Sequence, residues 1–170
     1  RKELLSRLHL PFEVMVPAID ETPHSGESPE ATALRLAQEK AAAVALQAPG
    51  SLVIGSDQVA TLDGAQMGKP GSHENALKQL QKMRGRRVIF HTALCLLDGR
   101  QPPQQDQAVQ VGNIQTFVSF RDLPDAELEA YLRIEQPYDC AGSAKNEGLG
   151  IAIIEKIESV DPTALTGLPL

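Results

Sequence analysis

At 170 residues the chain is long enough to bury one hydrophobic core without staples, and one domain spanning 1–170 is the default expectation. Its net charge of -6 argues against a surface built to coat nucleic acid, while leaving room for a small basic pocket. No apolar run approaches the roughly 18–20 residues of a membrane span, and Cys95 and Cys140 have neither metal spacing nor a C-x-x-C motif, which points to reduced thiols in a soluble cytoplasmic protein.

The opening "RKELLSRL" has helical spacing, with Leu4, Leu5 and Leu8 on one side. It begins with neither an initiator Met nor a capping residue, and "TALTGLPL" at the other end stops on apolar residues. Both features lead us to expect that the natural N-terminal strand and loop and a C-terminal helix lie outside the chain. Residues 12–20, "FEVMVPAID", alternate as a half-buried strand does and end at Asp20 and Glu21. "TPHSGESPE" is loop chemistry that closes on Ser28 as N-cap and Pro29 at the first helical position, so a helix is expected from there to about Gln47.

A strand is expected from Leu52 to Ser56, with Asp57 and Gln58 at its end and a turn at Asp63-Gly64. "GKP" at 68–70 breaks regular structure again, and Ser72 starts a helix to about Met83. "RRVIFHTALCLLDG" and residues 109–120 read as strands joined by a polar, mobile connection that ends at Gln107. "LPDAELEAYLRIEQP" is a helix between two prolines, "YDCAGSAKNEGLG" a glycine-bearing loop and "IAIIEKIES" a final strand. Helices and strands intermix without a strict βαβ rhythm and without repeats, which favours α/β architecture: a mixed sheet flanked by helices.

Charge falls where structure or tight turns are expected at Asp20-Glu21, Lys40, Asp57-Gln58 and Lys69. Each has an ordinary explanation: a solvated turn, an exposed helix lysine, a turn-capping acid, and a fragment of a phosphate loop that lacks the full Walker spacing. Asp57 is the hardest to explain away, because a carboxylate at a strand end can hold a metal or take a proton from water. The histidines at 9, 24, 73 and 91 have no ligand spacing and are expected to be structural. Taken together, carboxylates that hold a hard cation and lysines that neutralise phosphate oxygens permit metal-assisted hydrolysis of a phosphoanhydride.

The order "RKELL", "DET", "LAQEKA", "GSDQV", "GKP", "CAGSAKNEGLG" and "GLPL" resembles the Maf family of nucleoside triphosphate pyrophosphatases over essentially the whole chain. The family's N-terminal signature is represented from Arg1 onward. The resemblance implies a Maf and inosine-triphosphatase-like fold: a mixed, twisted sheet flanked by helices, with a substrate cleft. It also implies cleavage of a nucleoside triphosphate to a monophosphate and pyrophosphate with a divalent cation, Mg, Mn or Co. By the same resemblance Asp57 is the general base, Glu21 and Asp57 hold the metal, and Arg1, Lys40 and Lys69 contact the triphosphate. Nucleic acid and membrane are not expected as partners, and a homodimer is left open.

Gln58 and Glu147 resemble the branch of the family that acts on 7-methyl-GTP and so clears a modified nucleotide; members acting on dTTP and UTP usually carry Thr and Gln at these positions. A carboxylate can receive both N1–H and the exocyclic N–H₂ of guanine, and it gains attraction when N7 methylation makes the base cationic. Alternatives are the dTTP/UTP branch, an inosine triphosphate type of pyrophosphatase, or a nucleotide-responsive protein that restrains septum formation.

Overall fold

The computed structural model describes residues 1–100 and 108–170. The connection expected to be mobile up to Gln107 lies mostly outside the described residues. Helix α1 (Lys2–Ser6) is followed by α2 (Pro29–Ala45), strands β1 (Leu52–Leu62) and β2 (Ala65–Met67), and helix α3 (His73–Met83). Strands β3 (Arg87–Asp98) and β4 (Val109–Phe120), helix α4 (Asp125–Glu135) and strand β5 (Ile154–Glu158) complete the regular elements.

The five strands form one sheet in the order β2-β1-β3-β4-β5, and all four pairings are antiparallel. The α/β class, with helices flanking a sheet, is as expected from the sequence. Asp63 and Gly64 take positive φ and close a two-residue hairpin between Leu62 and Ala65, the conformation that an Asp-Gly pair favours. The helix α2 starts where its signals place it, with the Ser28 hydroxyl accepting from the Ala31 N–H and Pro29 needing no hydrogen-bond partner for its nitrogen.

The sheet, expected to be mixed, is antiparallel throughout the described strands, and three readings of single elements are corrected as well. Residues 12–20 form no strand: Val16 is 91% exposed, and alternation cannot make a strand without a neighbouring ladder to pair with. The last strand begins at Ile154 because Leu149–Ala152 wind into a 3-10 turn. Strand β1 does not stop at Ser56 but runs on to Leu62, so Asp57 lies mid-strand, paired with Ala93.

The sheet has a different core on each face. On one, Ala33, Ala37 and Ala41 of α2 pack on Val53, Val59, Ala93 and Cys95. Gly55 lets this helix lie close to the strand, since a Cβ there would overlap the Ala37 carbonyl oxygen and stand 2.8 Å from the Ala41 nitrogen. On the other face, Leu80 and Met83 of α3 and Leu128, Tyr131 and Leu132 of α4 cover Ala60, Leu62, Val88, Phe90, Val118 and Phe120.

Candidate active site

Strand β2 pairs with β1 only at Ala60, Thr61 and Leu62. The outer edge of β1 at Asp57 to Val59 borders a cleft of about 650 Å³. Successive side chains of a strand point to opposite faces, and an open edge lets both Asp57 and Gln58 reach one cavity. All seven residues singled out in the sequence line it: Arg1, Glu21, Lys40, Asp57, Gln58, Lys69 and Glu147.

The floor of the cleft is an ion-paired triad. The Lys40 ammonium stands 2.6 Å from Asp57 Oδ1 and 2.7 Å from Glu21 Oε1. Asp57 is buried at 7% exposure, and only a paired carboxylate is stable at that depth. The close seating of α2 on Gly55 brings Lys40 to that depth. The hydrogen bond from Lys40 holds the Glu21 carboxyl below its usual range against the opposing effect of burial, and the charges of Lys40, Lys69 and Arg1 act in the same direction. Three cations therefore act on one carboxylate in the cleft.

Glu21 is presented by a loop with its own anchor. Arg35 donates to both oxygens of Glu27, at 2.7 and 2.8 Å, and to the Thr22 carbonyl oxygen at 3.2 Å. This pairing pulls the Glu27 carboxyl down to about 2. Asp20 accepts from the Thr22 N–H at 2.9 Å, so of the Asp20-Glu21 pair one residue shapes a turn and the other lines the cleft.

Glu147 is exposed on the cleft wall beside Asn146. Gln58 turns out to have a second occupation. Its amide nitrogen donates to Thr92 Oγ1 at 2.9 Å and to the carbonyls of Ala164 and Leu165 at 3.1 and 3.0 Å. It thus fastens the wall formed by Leu165, Thr166 and Gly167, leaving its carbonyl oxygen as the group open to a ligand. Ser56 Oγ and Arg1 Nε each donate to the Gly167 carbonyl at 3.0 Å and fix the same wall.

Thr32, Gln66, Asn146 and Thr166 also line the cleft and had not been singled out. The neighbour of Glu147 was open to discovery by adjacency; Thr32 and Gln66, bonded at 2.8 Å across 34 residues, carried no local signal. Cys140 lines the cleft as well, but burial and the charge of Asp139 push its thiol up to about 11, which makes it a poor nucleophile at neutral pH. Two of the histidines play structural parts: His73 bridges Tyr138 and Glu129, and His91 is buried against Asn113, while His9 and His24 are exposed.

Among the described residues no group of three or more His, Cys, Asp or Glu side chains stands close enough to cage a metal. Two carboxylates facing a cleft nevertheless suit a hard cation that takes its remaining oxygens from phosphate and water, the usual habit of Mg²⁺. Glu21 and Asp57 are therefore a fitting donor pair for a metal that arrives with a polyphosphate.

A family model described as "Maf-like protein" matches residues 1–170. The chain belongs to the Maf family. Similar relatives include proteins named "7-methyl-GTP pyrophosphatase" from Ralstonia nicotianae, 64% identical over all of this chain and 85% of the relative, and from Cupriavidus metallidurans, 65% identical over all of this chain and 83% of the relative. A third, of the same name from Paraburkholderia xenovorans, is 66% identical over all of this chain and 82% of its own length. In this Maf chain no helix among the described residues is long and apolar enough to cross a membrane.

Proposed function

We propose that the chain hydrolyses 7-methyl-GTP to 7-methyl-GMP and pyrophosphate, acting as one catalytic unit in the cytoplasm on a free nucleotide. The observation that carries this reading is the Lys40 ammonium bridging Asp57 and Glu21 on the floor of a cleft that Arg1, Lys69 and Glu147 also line. The names of the relatives agree with it.

The chemistry follows from the charges. Lys69, Arg1 and Lys40 neutralise the triphosphate and stabilise the negative charge that grows on the attacked phosphate. Lys40 occupies Asp57 Oδ1, and Oδ2 is the oxygen that accepts the proton of the attacking water. Attack at the innermost phosphorus expels pyrophosphate, whose charge remains beside Lys69 and Arg1. Glu21 and Asp57 would hold a divalent cation arriving with the phosphates, and such a cation would supply positive charge there and make water more acidic. At the base end the Glu147 carboxylate accepts the guanine N–H groups, and the positive charge of the methylated ring strengthens the contact.

The test is a substrate panel with added divalent metal: 7-methyl-GTP, GTP, ITP, UTP and dTTP, read as pyrophosphate release. The expected result is a kcat/KM for 7-methyl-GTP at least about tenfold above the others, the worth of one charge-assisted contact. Equal or reversed rates for UTP or dTTP reject the base assignment. Nucleotide binding with no pyrophosphate release from any of them rejects the enzymatic one.

A further inference from the structure

Two neighbouring loops contribute to the lining of the cleft. Residues 68–71 carry Lys69, and residues 138–147 carry Cys140, Asn146 and Glu147. They are far apart in sequence and both rest on α3, where one side chain touches each of them. Gln79 Nε2 donates to the Gly68 carbonyl at 2.9 Å, and Gln79 Oε1 accepts from the Ser143 hydroxyl at 2.7 Å. The amide orientation is forced, because only its NH₂ end can satisfy a carbonyl.

The Ser143 end of this link is stiff. Ser143 is fully buried, has φ of +53°, and its carbonyl accepts from Tyr131 Oη at 3.1 Å. The same Tyr131 hydroxyl accepts from the Lys145 N–H at 3.2 Å, two residues before Glu147. Ser143 therefore cannot shift without disturbing the segment that bears Glu147. The Gly68 end is soft: Lys69 is exposed, and its loop is held to α3 by Gln79 and by a bond from Asn75 Nδ2 to the Pro70 carbonyl at 3.1 Å. Gln79 itself does not line the cleft.

We propose that Gln79 is a positioning residue that couples the base-reading loop to the phosphate-binding loop. A correctly seated base fixes residues 143–147, and through Gln79 this fixes Gly68 and the placement of Lys69. Discrimination between bases then appears in kcat as well as in KM, because a poorly seated base leaves Lys69 misplaced during phosphoryl transfer. This inference rests on reading the cleft as a nucleotide site with its base end at Glu147.

Two variants cut the link at opposite ends. Gln79→Glu keeps an acceptor for Ser143 but sets a carboxylate oxygen against the Gly68 carbonyl; Ser143→Ala removes only the hydroxyl. The Gly71 N–H still donates to the Tyr138 carbonyl at 3.0 Å in both, so the loops stay attached. The experiment measures kcat and KM of wild type, both single variants and the double variant, with the preferred nucleotide and its nearest competitor, alongside thermal melting.

The expected result is that each single variant lowers kcat for the preferred nucleotide about fivefold, the worth of one neutral hydrogen bond, with a smaller loss for the competitor. The double variant loses no more than the worse single one, because both cut the same link. Losses that multiply, or a kcat ratio between nucleotides unchanged in both single variants, overturn the proposal. Should a variant fail to melt cooperatively, Gln79→Leu replaces Gln79→Glu under the same criterion. The wild-type row alone decides the base assignment, so its failure is distinguishable from failure of the coupling.

Discussion

The floor of the cleft and its exposed loop residues are built on different principles. Two of the three floor residues sit on regular structure, Asp57 on β1 and Lys40 on a helix pressed against that strand through Gly55, and the third, Glu21, comes from a loop anchored by Arg35. Lys69 and Glu147 sit on irregular segments and are exposed, held by hydrogen bonds from α3 and α4. On the proposed reading, chemistry that tolerates little displacement falls to the sheet, its helix and the anchored loop of Glu21. On the same reading, recognition of the base falls to a loop that can vary without unsettling the core.

If that contrast holds, damage at the floor should cost turnover or the fold, and damage at Glu147 should cost preference. The largest effect is expected for Asp57→Asn, which keeps the volume and removes the base: kcat falls about 10²–10⁴-fold while nucleotide binding by calorimetry survives. Gly55→Ala comes next. Its methyl group would collide with Ala37 backbone, and overpacking of this kind costs about 1–3 kcal/mol, or roughly 2–4 °C of Tm for each kcal/mol. A melting point equal to wild type would mean that α2 is not seated as described.

At the base end, Glu147→Gln should lower the preference for methylated guanine by about 1–3 kcal/mol with kcat for other nucleotides little changed, read from the same substrate panel. The smallest effect concerns acid. The Glu27 carboxyl is held near 2 by Arg35, below its ordinary 4.5, so its contribution to stability is complete above about 4.5 and is lost as pH falls toward 2. Hydrogen-exchange protection of residues 22–27, corrected for the intrinsic pH dependence of exchange, should fall as the pH is lowered over that window, and Glu27→Gln should make that fall smaller.

The same division explains what the sequence could reveal. The polar interruption at Asp57 inside an apolar run was visible, as were the capped start of α2 and the Asp-Gly turn, because each depends on residues adjacent in the chain. The strand expected over residues 12–20 failed because pairing is a property of two segments, and alternation describes one. Asp57 was expected at a strand end, whereas β1 continues; a ladder with β3 from Leu52 to Thr61 overrides the local preference for a turn. The work of Gln58 on the carbonyls of Ala164 and Leu165 spans more than a hundred residues, and so leaves no local pattern. Arg35, which anchors the loop of Glu21, reads in sequence as one more charged helix residue.

The central claim is that Asp57 directs water onto the innermost phosphorus of the nucleotide. Hydrolysis in ¹⁸O-labelled water under single-turnover conditions tests it directly, with the products separated and weighed by mass spectrometry. The account predicts that the label enters the nucleoside monophosphate and that Asp57→Asn suppresses its incorporation. Label in the pyrophosphate, or undiminished labelling by the Asp57→Asn protein, would contradict it.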